Sequence, residues 1–390
     1  MRSKLIVHSP AQSKAGHSSF LIASIMSIIA SNMQKKFLVF LLLGLATIVQ
    51  GQSKFPAPVE GDYKIKNFEF ESKEVLPELN IHYATVGTPH KGKDGKVDNA
   101  VIIMHGTTGS YNGFLGDRFG GKLFGAGQTL DATKYFIILV DAIGHGKSSK
   151  PSNGLHMKFP KYTYDDMVRA DYLLVSDHLK VNHLRLVMGT SMGAMHTWVW
   201  GYMYPDFMDA LMPLASLPVE IAGRNRSMRK MAIDLIEMDP EWKGGEYTSQ
   251  PKVGLTGAMS SLMFMTSSPL QAQKSAPTRE LAEAALARTK ERYLTSLDAN
   301  DMIYAFDASR FYNPQPFLSK IKAPLFAVNS ADDAVNPPEL GIMEQEIKKV
   351  AKGRYILLPI TDKTSGHGTH SNPDIWGNYL KELMKISEKK

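Results

Sequence analysis

Ser191 stands in Gly189-Thr190-Ser191-Met192-Gly193, between the apolar, β-prone run Leu184–Met188 and the helix-forming run His196–Tyr204. Strand, sharp turn and helix in that order form a nucleophile elbow, which holds the serine in a strained turn at the top of a sheet. Glycines are required on both sides, because a side chain at 189 or 193 would meet the neighbouring strand and helix. A serine hydroxyl attacks an acyl carbon only when a base takes its proton, and the base must be oriented by an acid. In such a sheet the acid and then the histidine follow the serine along the chain, each on a loop after a strand. Ser330-Ala331-Asp332-Asp333-Ala334-Val335-Asn336-Pro337 follows the strand-like run Leu325–Asn329, and Gly366-His367-Gly368-Thr369-His370 lies beyond Tyr355–Leu358. Asp333, four residues before Pro337, is the expected acid and Asp332 a loop cap. His367, flanked by glycines, is the expected base in preference to His370. The two histidines as metal ligands lack a third partner, which zinc sites usually need, so no metal is expected. Charge on a tetrahedral intermediate requires preset N–H donors. The Met192 amide at the helix start supplies one; Thr107, after the strand Asn99–Met104 and His105-Gly106, supplies the other.

These loops need a scaffold, and the pattern provides one. Lys66–Glu71 and Leu79–Val86 predict an antiparallel opening pair. Asn99–Met104 and Tyr135–Val140 are continuous apolar runs suited to strands buried on both faces. A helix capped at Thr163 by the Asp166 pattern extends to Leu179. Strand Ala210–Ala215 follows the elbow helix. Residues 219–316 break the alternation with helical, Met- and Ala-rich sequence, interrupted by Pro240, Pro251, Pro269 and Pro277. Alternation resumes with Leu325–Asn329, a helix over Met343–Val350, strand Tyr355–Leu358 and a final helix Pro373–Ile386. The expected architecture is α/β, a mainly parallel central sheet with helices on both faces. Its core spans 60–218 and 317–390, and 219–316 forms a helical lid inserted between strands. In that lid Met228, Met231, Met238, Met259, Met263 and Met265 are expected mainly as helix core, with an adaptable apolar pocket as the alternative.

Composition sets further bounds. The 390 residues are 43% hydrophobic and 21% charged and contain no cysteine, which removes disulfides, thiolate metal sites and a cysteine nucleophile. The net charge of +7 resides mostly in residues 1–51, where Arg2, Lys4, Lys14, Lys35 and Lys36 face no acid; beyond them 40 basic residues stand against 38 acidic ones. Nucleic acid is therefore not an expected partner. Lys35-Lys36, the apolar run Phe37–Val49 and Gln50-Gly51-Gln52 read as a signal peptide, too short to span a bilayer comfortably. Translation starting at Met33 would place that signal at the N-terminus. The expected destination is periplasmic or secreted, with no stable membrane anchor after cleavage; cytoplasmic residence follows if the leader is not a real part of the protein. Asp141 and His145 are expected to brace their own loop, and His178, His183 and His196 to be packing or surface residues. Gly125-Ala126-Gly127 lacks the strand-to-helix setting of a dinucleotide loop.

From about residue 65 to 385 the chain resembles the homoserine O-acetyltransferase branch of the α/β-hydrolase superfamily. The resemblance rests on Phe159-Pro160 with Thr163 and Asp166-Met167-Val168-Arg169-Ala170, on Gly189 to Met195, and on Asp239-Pro240-Glu241-Trp242-Lys243-Gly244-Gly245-Glu246-Tyr247. It implies an α/β-hydrolase fold, catalytic roles for Ser191, Asp333 and His367, and oxyanion donors at Thr107 and Met192. It also implies an arginine for a substrate carboxylate, with Arg224, Arg226 and Arg229 as candidates, and a homodimer through the lid. His105-Gly106-Thr107-Thr108-Gly109, Thr190, Ala194, His196 and Gly368 depart from the family's residues, which separates the scaffold from the acceptor. The expected activity is that of an exported serine hydrolase of ester-like acyl substrates, using no cofactor. Acetyl-CoA-dependent homoserine O-acetyltransferase is the alternative, in which acetyl-CoA is a co-substrate; a catalytically idle ligand-binding protein is the second.

Overall fold

The computed structural model describes residues 54–388. The expected leader, its cleavage point and the start at Met33 lie outside the described residues. Apolar runs without alternation become the central strands: β3 (Ala100–Met104), β4 (Phe136–Val140), β5 (Leu186–Thr190), β6 (Leu211–Leu214) and β7 (Leu325–Ser330) are buried throughout. Strands buried on both faces need no polar alternation. With β1 (Val59–Glu69), β2 (Val75–Val86) and β8 (Gly353–Leu358) they form an eight-stranded sheet, ordered β1-β2-β4-β3-β5-β6-β7-β8. β1 pairs antiparallel with β2 and β2 with β4; the remaining pairs are parallel. The first strand begins at Val59 rather than Lys66, because its polar N-terminal half pairs with β2 as an edge whose other side meets solvent.

Helices α1 (Tyr164–Leu173), α2 (Met192–Met203) and, near the C-terminus, α8 (Pro373–Ile386) pack on the sheet. One face buries Trp198, Trp200, Met167 and Val168 against Ile102, Ile138 and Val187. The other buries Trp376, Leu380 and Leu383 with Ile103, Leu139 and Met188. The Thr163 hydroxyl accepts from the Asp166 amide at 3.2 Å, and the Asp166 carboxylate accepts from the Thr163 amide at 3.1 Å. This reciprocal cap fixes the start of α1. The helix does not continue unchanged to Leu179: Leu174–His178 widens into a π-turn. At its end His178 stacks on Tyr63 and sits 2.9 Å from the Tyr83 hydroxyl. Likewise Met343–Val350 is no single helix but a short helical turn, Ile342–Glu346, and a 3₁₀ turn, Ile347–Lys349.

Between β6 and β7 lie α3 (Gly223–Glu237), α4 (Lys252–Thr266), α5 (Pro269–Ser275), α6 (Arg279–Ser296) and α7 (Ala299–Asp307). Pro251 stands just before α4 and Pro269 is the first residue of α5, so the prolines punctuate this block. The block has its own core of Met228, Ile233, Ile236, Leu255, Met259, Ile303 and Phe306. The methionines divide between roles: Met228 and Met259 are buried, Met263 and Met265 half-buried, and Met231 and Met238 exposed. Met238 belongs to the stripe Arg226, Lys230, Asp234, Met238, whose four-residue spacing follows the outer side of α3. Among the described residues no helix is long and apolar enough to cross a membrane.

Candidate active site

β5 ends at Thr190 and α2 begins at Met192, leaving Ser191 alone to turn the chain, at φ 55° and ψ −111°. A non-glycine residue there is strained and persists only where its surroundings fix it. The fixation is visible. The Ser191 amide donates to the Leu214 carbonyl at 2.9 Å, and the Gly193 amide to the His105 carbonyl at 2.9 Å. A Cβ on Gly189 would come within 2.1 Å of the Gly193 carbonyl oxygen, and one on Gly193 within 2.1 Å of the Met104 carbonyl oxygen. Both are backbone atoms and cannot move aside, so α2 approaches β3 and β5 closely only because both positions are glycine.

His367 reaches this turn from the loop after β8. Its Nε2 lies 2.7 Å from Ser191 Oγ, and its Nδ1 lies 2.8 Å from Asp333 Oδ2. Asp333, in the loop after β7, also accepts from the Val335 amide at 2.8 Å and the Asn336 side-chain amide at 2.9 Å. Burial alone would push the Asp333 carboxyl up; the charge and hydrogen bond of His367, with those of Asn336 and Val335, hold it below the usual carboxylate value. The neighbouring Asp332 faces elsewhere, accepting from Ser330 Oγ at 2.5 Å and the Gly366 amide at 2.9 Å. It ties the acid loop to the histidine loop, a bond the capping expectation did not foresee. His370 packs edge-on against His367 with ring centroids 5.3 Å apart, and burial lowers its pKa to about 3. Both ring nitrogens of His367 are engaged, by Ser191 and Asp333.

The loop after β3 lies over Ser191: a Cβ on Gly106 would sit 3.2 Å from Ser191 Cβ. Thr107 borders the same cavity, and the amide of Met192, first in α2, has no intrahelical acceptor by position. Two buried histidines hold the loop. His105 Nε2 accepts from the Ala142 amide at 3.1 Å, and His145 Nε2 lies 2.9 Å from the Thr107 carbonyl. Burial lowers each pKa to about 4, which keeps both rings neutral near pH 7. Asp141 receives the Tyr111 amide at 2.8 Å and the Lys147 amide at 2.8 Å. His145 thus braces the Thr107 loop and not only its own. His196 is fully buried, its two ring nitrogens have no hydrogen-bond partner among the described residues, and it lies edge-on to Tyr164 at 4.8 Å, while His183 pairs with Asp209 at 2.7 Å.

The cavity beside Ser191 measures about 390 Å³. Its wall joins Thr107 and Thr108 of the core to Met228, Arg229, Leu262, Thr266 and Tyr293 of the helical block. Of the candidate arginines only Arg229 enters it. Arg224 instead donates to the Ala334 carbonyl at 2.8 Å, and Arg226 lies on the outward stripe of α3. Arg229 is 4% exposed and donates to Asn225 Oδ1 at 3.0 Å and Ser309 Oγ at 3.2 Å; among the described residues it has no carboxylate partner. Sequence reasoning did not find Asn336, Arg118 or Tyr293. Asn336 could have been found, since an amide three residues beyond an acid in a tight loop is placed to bond it. The other two carry no local signal.

Residues 99–359 match the family described as alpha/beta hydrolase fold. A probable acyltransferase of Methanothermobacter thermautotrophicus is 29% identical over 306 residues, covering 78% of this chain and 91% of that protein. The homoserine O-acetyltransferase of Haemophilus influenzae is 29% identical over 297 residues, covering 67% and 80%. Among solved structures, esterase E22 superposes with a TM-score of 0.73 at 18% identity, over 84% of this chain and all of that one. The fold, the elbow and the extent of the family match together place this chain in the α/β-hydrolase-fold family, similar to its homoserine O-acetyltransferases.

Proposed function

We propose that the protein is an exported serine hydrolase that cleaves an ester through a covalent acyl-enzyme. The observation that carries this reading is the Ser191–His367–Asp333 series, with contacts of 2.7 and 2.8 Å. Ser191 Oγ attacks the acyl carbon while His367 Nε2 takes its proton, and Asp333 holds the imidazole and stabilises its positive charge. The Met192 and Thr107 amides receive the oxyanion. Collapse breaks the bond to the leaving oxygen, which takes the proton from His367. Water then attacks the acyl-enzyme, gives a proton to His367, and the acid departs as Ser191 recovers it. No cofactor enters any step. Residues 219–316 serve as the lid, and the leader, Met33 to Gly51, as the export signal. Outside the cytoplasm acetyl-CoA is absent, which favours water as acceptor.

The second reading is homoserine O-acetyltransferase, with acetyl-CoA as co-substrate. Arg229 favours it, because a buried guanidinium without a carboxylate beside the nucleophile suits an amino-acid carboxylate. One assay separates the two. Purified protein from Gln52 onward and its Ser191→Ala variant receive acetyl-CoA or short p-nitrophenyl esters, with and without homoserine. Ser191-dependent ester cleavage that homoserine does not alter is expected. Ser191-dependent formation of O-acetylhomoserine, with no ester hydrolysis, would overturn the hydrolase reading.

A further inference from the structure

The walls of the Ser191 cavity include two guanidinium groups, Arg118 and Arg229, and neither an aspartate nor a glutamate. Arg229 is deep and buried. Arg118 is exposed and has no hydrogen bond or ion pair among the described residues. It stands at the solvent side of the cavity, on the loop that continues from Thr107.

Its neighbours are anchored on both sides. Phe119 is buried, with its ring 4.8 Å from Phe114 and 5.9 Å from Trp376. The carboxylate of Asp117 is directed to Lys54 at 3.4 Å and does not neutralise Arg118. The backbone beneath the guanidinium is therefore fixed while its charge remains available. An arginine that only aided solubility would need neither a place in the cavity wall nor an anchored base. A planar fork of N–H donors suits a carboxylate or a phosphate.

We infer that Arg118 is a specificity-determining residue, and that the preferred ester carries an anionic group, carboxylate or phosphate, at the end that projects to the cavity mouth. This rests on Ser191 being the nucleophile of an ester hydrolase. It goes further in assigning the substrate a charge, and in placing its recognition on a core loop remote in sequence from α3.

The test compares kcat/KM for charged and neutral partners. Mono-p-nitrophenyl glutarate and its methyl ester place the charge on the acyl side. 4-Acetoxybenzoate and its methyl ester place it on the leaving group, and 4-acetoxyphenyl phosphate substitutes phosphate. The wild type is expected to favour at least one charged ester over its neutral partner by about fivefold, chiefly through KM, and less so in high salt. Arg118→Gln should bring that ratio near one and Arg118→Lys restore part of it, the order of the three proteins separating charge recognition from loop damage. A ratio of one in every wild-type pair, or a preference that Arg118→Gln leaves intact, overturns the inference. An enzyme inert to all esters and to a fluorophosphonate serine probe overturns the hydrolase reading with it.

Discussion

The sheet and the helical block between β6 and β7 differ in how tightly each residue is held. Around Ser191 the sheet side is specified to the atom: two glycines admit no Cβ, and Ser191 occupies a strained backbone angle. The block is looser. Its longest helix, α6, buries none of its 18 residues, yet supplies Tyr293 to the cavity wall. In the proposed reading the sheet side carries the reaction and the block, together with the loop bearing Arg118, selects what reacts. On that reading exact positioning is concentrated at the proposed nucleophile, and replaceable contacts line the proposed substrate cavity.

Breaking the sheet side should produce the largest effects. Ser191→Ala or His367→Ala is expected to lower kcat for p-nitrophenyl esters by about 10⁴-fold or more without changing the unfolding midpoint appreciably. Asp333→Asn should cost about 10³- to 10⁴-fold, because the histidine loses its orienting carboxylate. Asp332→Asn should cost far less, about tenfold, since it disturbs the Gly366 tether and not the imidazole; equal losses from the two aspartates would mean that the acid is misassigned. Gly193→Ala tests the scaffold itself. Its Cβ meets the backbone of Met104, so urea unfolding should show destabilisation of about 3 kcal/mol or more.

On the selecting side, Arg229→Gln should change KM for anionic esters more than kcat for neutral ones. Tyr293→Ala should alter the order of preferred esters and leave stability within about 1 kcal/mol. The smallest effect is a pH dependence. His105 and His145, lowered to about 4 in the fold from about 6.5, bind fewer protons folded than unfolded between those values. Their contribution is complete above about pH 6.5 and declines as pH falls toward 4, so the melting temperature should drop over that window. A flat melting temperature between pH 6.5 and 4 would remove the two histidines as neutral braces of the Thr107 loop.

The same contrast accounts for what was legible in the sequence. Buried strands are uninterrupted apolar runs, and the elbow glycines act within a few residues of Ser191, so local spacing reveals them. Asp333 and His367 could be read because each follows a strand. The division of labour between Asp332 and Asp333 depends on side-chain direction, which adjacent positions do not encode. Arg118, Arg229 and Tyr293 come from three distant segments and meet only through tertiary packing. Arg224 and Arg226 were plausible for the same reason that Arg229 was; only the rotation of α3 separates them. His145 resembled a local brace because its contact with Thr107 spans 38 residues.

The most direct test of the central claim is to treat the protein with a fluorophosphonate and locate the adduct by peptide mass spectrometry. Modification of Ser191, slowed at least about a hundredfold in His367→Ala and coincident with loss of esterase activity, is the expected result. An adduct on another serine, or ester hydrolysis that persists with Ser191 fully modified, would contradict it.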